Sequence, residues 1–93
     1  MKSFMVVARF KDAVTPEDIK SLIPAEVNQA KILEEKGLLG IIKVAMPKRT
    51  VFLEAFAESE VQATVSIDSL PMAAIWDYEL FETTPPAGVT VSN

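Results

Sequence analysis

The chain has 93 residues, 49% of them hydrophobic, a formal net charge of −4, no cysteine and no histidine. That length sets one small domain with a limited private core, and the missing residue types exclude disulfides, thiol nucleophiles, thiolate metal sites and histidine bases. No run of Lys and Arg exceeds two residues, which argues against nucleic acid and anionic membrane as partners.

The early apolar run "FMVVA" is too short for a signal sequence core or a membrane span, so a soluble, cytoplasmic protein is expected. Mean hydropathy is positive, which in so short a chain calls for a very dry interior or for a surface made to meet a partner.

In chain order, "KSFMVVARF" (Lys2 to Phe10) is β-rich and ends at the polar "KDAVTPED", giving a first strand. "TPED" starts a helix: Thr15 caps, Pro16 suits the first helical position and Asp18 completes a capping box. The helix should reach about Gly37, with a kink or a restart at Pro24, which has no N–H to donate. "LLGIIKVA" (38–45) and "RTVFLEAF" (49–56) form a second and third strand around a turn at 46–48. "SEVQ" opens a second helix, capped by Ser59 with Gln62 reaching back and stopped by Pro71. "IWDYELF" (75–81) is a fourth strand, and residues 84–93 form an extended tail after a single domain over 1–83.

This β-α-β-β-α-β order predicts an α+β, ferredoxin-like fold, a four-stranded antiparallel sheet with both helices on one face. Strand one carries Phe4, Val6, Ala8 and Phe10 on one side but Met5 and Val7 on the other. Strand three likewise carries Val51, Leu53 and Ala55 against Phe52 and Phe56. Two helices cover one face, so the second face needs another sheet, most simply from an identical chain. The expectation is a homodimer or a higher homo-oligomer.

The polar exceptions in this pattern are candidate site residues. Arg9, Lys43 and Glu54 should project from the face turned away from the helices, as a charge cluster at a dimer interface or as substrate-binding groups. Glu26 falls inside the apolar stripe formed by Ile19, Leu22, Ile23, Ala30 and Leu33. A carboxylate there must pair, hydrogen-bond or take up a proton, and desolvation raises its pKa towards what a base in a histidine-free pocket needs. The alternatives are a structural hydrogen bond to Tyr78 or to backbone, or a kink that turns Glu26 to solvent. Trp76 and Tyr78 share one side of strand four and would line either a ligand pocket or the core; Asp77 is a second proton carrier if its side faces the helices. Met5, Met46 and Met72 read as gap-filling core residues.

The stretch "EEKGLLGIIKVAMPKRTVFLEAFAESEVQATVSIDSLPMAAIWDYELF" resembles the muconolactone Δ-isomerase family of dimeric α+β barrels, over about two-thirds of the chain. The most specific part is "SLPM" followed by "WDYEL", placing Leu70, Pro71, Asp77 and Glu79 on the family's closing signature. Glu26 and Gly37 also fall where members carry Glu and Gly. The resemblance implies a face-to-face sheet dimer, often built into larger rings, and cofactor-free proton shuttling on a small lactone in aromatic compound catabolism. The second strand departs from the family pattern, reading "LLGIIKV" with Lys43 as its only cation where members carry Trp and Arg.

The leading expectation is therefore an isomerase without metal or cofactor, in which Glu26 removes and returns a proton while Tyr78 or Lys43 stabilises the developing enolate. The alternatives are a non-catalytic ligand-binding or structural homodimer, and a cofactor-free monooxygenase or cyclase of the same superfamily.

Overall fold

The computed structural model describes residues 1–87; the expected tail over 84–93 lies mostly outside the described residues. The elements run β1 (Lys2–Phe10), α1 (Pro16–Glu35), β2 (Leu39–Ala45), a 3₁₀ turn (Met46–Lys48), β3 (Thr50–Ala57), α2 (Glu60–Asp68), a 3₁₀ turn (Pro71–Ile75) and β4 (Trp76–Thr83). The sheet order is β2-β3-β1-β4 with every pair antiparallel. This is the α+β, ferredoxin-like arrangement expected from the element order.

Register separates the two faces. Phe4, Val6 and Ala8 of β1, Leu53 and Ala55 of β3 and Trp76 of β4 are buried beneath the helices, and α2 contributes Ala63 and Ile67 to the same core. The opposite face carries Met5 and Val7 from β1, Phe52 and Phe56 from β3 and Phe81 from β4. It remains partly open in the single chain: Phe52 is 40% and Phe81 48% exposed.

Local chemistry explains the element ends. Thr15 Oγ1 accepts from Asp18 N–H and Asp18 Oδ2 accepts from Thr15 N–H, at 3.2 and 2.9 Å, closing the capping box. The helix ends on Gly37 at φ 73°, with Gly37 N–H donating to Glu34 O and Leu38 N–H to Leu33 O, the paired bonds of a Schellman motif. Between these caps α1 is continuous through Pro24 rather than restarted there. At α2, Ser59 accepts from Gln62 N–H, but Gln62 Oε1 reaches Glu58 N–H rather than closing a box on Ser59.

Two departures shape the edge of the sheet. β2 carries a bulge between Leu39 and Ile42, so Gly40 and Ile41 together oppose Glu54. A Cβ on Gly40 would lie 2.9 Å from Glu54 Oε1 and 3.0 Å from the Phe56 ring, which explains why glycine occupies the bulge. After the 3₁₀ turn, Arg49 adopts a left-handed backbone at φ 50°. Its Nη2 donates to Lys11 O at 2.9 Å and Val14 O at 3.0 Å, tying the β2–β3 turn to the loop before α1.

Thr15→Ala should cost about 1 kcal/mol through the lost cap. Ile67→Ala, at a fully buried position, should cost about 2–5 kcal/mol. Chemical denaturation of the two variants checks both values and their order.

Candidate active site

A cleft of about 300 Å³ lies between α1 and the β2 side of the sheet. Ile19, Ile23, Val27 and Ala30 line it from α1, Ile42 and Val44 from β2, and Val51 and Leu53 from β3. Phe10, Met46, Met72 and Trp76 complete it. The apolar stripe on α1 is thus fully buried only in its C-terminal half, at Ala30 and Leu33. Ile23, 45% exposed, and Val27, 61% exposed, flank the opening instead, and Val44 and Met46 are exposed there too.

Glu26 is the one charged side chain in this wall. It is half-buried, and its Oε1 accepts a 2.9 Å hydrogen bond from Met72 N–H. Met72 follows Pro71 at the start of the second 3₁₀ turn, where backbone N–H groups have no partner within the turn itself. Of the alternatives raised for Glu26, the structure therefore contains the bond to backbone. Burial pushes the carboxyl above its ordinary value, and the Met72 bond offsets part of that rise. One oxygen is held and the other, Oε2, makes no hydrogen bond among the described residues.

The other candidate residues divide between the two faces. Trp76 lines the cleft beside Glu26. Tyr78 lies on the helix side two residues later but is absent from the cleft wall: its hydroxyl donates to Asp68 at the end of α2. Burial, then that bond and the Asp68 charge, push the phenol up to about 12. The bond from Tyr78 to Glu26, one of the alternatives raised for that carboxylate, is therefore not formed, and the expected role of Tyr78 in stabilising an enolate is corrected, because Asp68 of α2 has claimed the hydroxyl. Lys43, opposite Phe52, faces away from the helices and cannot serve the cleft either.

Asp77 stands opposite Arg9 on the open sheet face, so it is not a proton carrier on the helix side. Arg9 and Glu54 share that open face, and Glu54 accepts from Ser3 Oγ at 3.0 Å. Arg9, Lys43, Glu54 and Asp77 thus belong to a surface separate from the Glu26 cleft. Among the described residues the only ion pair within 4 Å is Lys2–Glu82, at 3.7 Å. Among them, too, no group of three or more acidic side chains is placed to hold a metal, and no helix is long and apolar enough to cross a membrane.

Two contributors escaped the sequence. Met72 reads as filler, yet its backbone holds the carboxylate; the signal was the proline before it, which starts a turn with N–H groups in need of an acceptor. Arg49 reads as a strand start, yet it anchors the loop before α1, and nothing in its flanking sequence marks that role.

Neither a protein family model nor a curated protein matches the chain. Among solved structures it is similar to a hypothetical Arabidopsis thaliana protein determined in solution. The TM-score is 0.51 and the identity 21%, covering 99% of this chain and 91% of that one. This likeness establishes the fold.

Because the folded pKa of Glu26 is raised, the native state binds that proton more tightly than the unfolded chain does. The resulting stability is fully present below the ordinary glutamate value and is lost as pH rises through the folded value. Glu26→Gln keeps an acceptor for Met72 N–H and removes the titration. The thermal midpoint of the variant should therefore gain on that of the wild type as pH climbs from acid to neutral. A difference independent of pH would contradict a desolvated carboxylate.

Proposed function

We propose that the chain is a cofactor-independent, muconolactone isomerase-like enzyme in which Glu26 moves a proton on a small lactone or other enolisable carbonyl compound. The observation that carries this reading is Glu26 itself, a half-buried carboxylate with a raised pKa and one unengaged oxygen in an otherwise uncharged, apolar wall. A raised pKa brings a carboxylate closer to neutral working pH, where a general base is most effective. Acid-base catalysis of this kind is worth about 10²–10⁴-fold.

The wall also constrains the substrate. A carboxylated lactone or an ionised acid would place a second negative charge beside Glu26, with no cation lining the cleft to compensate. A neutral, largely apolar carbonyl compound fits better. A role in aromatic compound catabolism rests on the sequence resemblance, as does cytoplasmic location on the composition.

The working unit in this proposal is a homodimer closed through the open sheet faces. Support comes from Met5, Val7, Phe52, Phe56 and Phe81, which share that face. Interfaces are depleted of charge at their centre and enriched in aromatics and Met. Arg9, Lys43, Glu54 and Asp77 then supply charges of both signs to the same contact.

A second reading, a non-catalytic ligand-binding dimer, is favoured by the mainly hydrocarbon walls and by the bond that engages Glu26 Oε1. The two separate on one substrate. Isomerisation of α-angelica lactone to its conjugated isomer should be catalysed, with a rate that rises with pH through a value above the usual glutamate range. Glu26→Gln should lose at least about 100-fold in kcat and lose that pH limb while keeping its fold. Full activity in the variant sinks the base assignment. Ligand-induced thermal stabilisation without turnover supports the binding protein instead.

Sedimentation at micromolar concentration should show no monomer, and Met5→Glu with Phe52→Glu should release folded monomers. A monomeric wild type would refute the dimer.

A further inference from the structure

Four cations gather at one end of the sheet, and the proton chemistry leaves them unused. Arg9 of β1, Lys11 in the loop that follows, and Lys48 and Arg49 from the turn between β2 and β3 line a single concavity of about 310 Å³. Asp12 and Asp77 are the acidic side chains in its wall. Two positive charges are therefore in excess, in a chain whose formal net charge is −4. The concavity lies next to the Glu26 cleft but outside it, with Phe10 common to both walls.

Arg9, Lys11 and Lys48 are exposed and Arg49 is half-buried, so solvent reaches the cations, yet the backbone beneath them is fixed. Phe10 N–H donates to Arg49 O at 3.1 Å and Lys11 N–H to Ile75 O at 3.0 Å, tying the end of β1 to the turn and to the approach to β4. Arg49 Nη2 is held on the carbonyls of Lys11 and Val14. The guanidinium is thus in place before any ligand arrives, while its Nε and Nη1 make no hydrogen bond among the described residues. Arg9 and Asp77 stand directly opposite each other on one face, where opposite charges pair most readily. Even so, no ion pair closes there within 4 Å. The excess charge is not cancelled from within.

A concavity lined by an excess of one sign of charge concentrates ions of the other. Guanidinium groups present forked donors that match phosphate oxygens, and lysines add point charge beside them. A dianionic phosphoryl group balances the excess, whereas a singly charged carboxylate leaves half of it standing. We propose that this concavity binds the phosphoryl group of inorganic phosphate or of a phosphate monoester, between Arg9, Lys11, Lys48 and the unengaged nitrogens of Arg49. Lys11, Lys48 and Arg49 lie beyond the strand ends; Arg9 and Asp77 are the residues shared with the open sheet face. The assignment does not rest on Glu26 acting as a base.

The test follows backbone amide resonances of the wild-type protein, at a pH where phosphate is dianionic and at an ionic strength held constant with sodium chloride. As inorganic phosphate or phenyl phosphate is added, the amides of Lys11, Asp12 and Arg49 should shift along a saturable curve, with half-saturation in the millimolar range or below. Arg9→Gln combined with Lys48→Gln, in a protein whose spectrum otherwise matches the wild type, should raise the half-saturation concentration about 10-fold or more. Lys36→Gln, at the other end of α1, should leave it unchanged. Linear drift without saturation, or the same shifts with chloride alone, means general screening and overturns the proposal. So does a double variant that binds as tightly as the wild type, or a Lys36 variant that weakens binding equally. Phenyl phosphate saturating at the lower concentration assigns the site to a monoester, and any other order assigns it to the free anion; both uphold it. None of these outcomes alters the test of Glu26, which reads turnover.

Discussion

β1 is hydrogen-bonded on both sides, to β3 and to β4, and every other element is placed by that constraint. A central strand cannot shed its pairing, so its alternation decides which side of the sheet the helices occupy. Phe4, Val6 and Ala8 are fully buried on the helix side, and slipping the register by one residue would exchange them for Ser3, Met5 and Val7. The same strand sets Arg9 opposite Asp77 and Phe10 opposite Trp76. The charged surface and the cleft are therefore the two outputs of one alternation, delivered to opposite faces.

The cleft exists because α1 is packed unevenly along its length. Its C-terminal half presents Ala30 and Leu33 to the core, whereas Ile23 and Val27 leave a gap toward Ile42 and Val44 of the edge strand. An apolar gap alone would have little chemistry. Glu26 sits where the packed and unpacked halves of α1 meet, close enough to the core to be desolvated and far enough out to keep one oxygen unengaged. Met72 N–H makes the burial tolerable, since a desolvated carboxylate with one charge-assisted hydrogen bond is far less costly than one with none.

Much of this was readable from residues alone. Alternation within "KSFMVVARF" and "RTVFLEAF" gave the strands and the two-sided apolar sheet, and Thr15, Pro16 and Asp18 gave the start of α1 because capping is a local interaction between near neighbours. Glu26 stood out because a carboxylate in an apolar stripe breaks a period that sequence makes visible. The failures came where the deciding partner is distant in the chain. Tyr78 was expected at Glu26, yet Asp68 takes its hydroxyl. Asp77 was left between two faces that only the pairing of β1 with β4 resolves. The bulge that sets both Gly40 and Ile41 opposite Glu54 likewise depends on the distant strand β3.

Arg49 has a consequence for how the molecule breathes. Its guanidinium holds carbonyls of Lys11 and Val14, 38 and 35 residues away in sequence, so the hairpin tip and the approach to α1 are clamped together. Fluctuations that would otherwise fray each loop separately must release both at once, and amide exchange in the two segments should share one opening free energy. The end of the sheet that carries Phe10, Val44 and Trp76 should thereby open as a single cooperative unit.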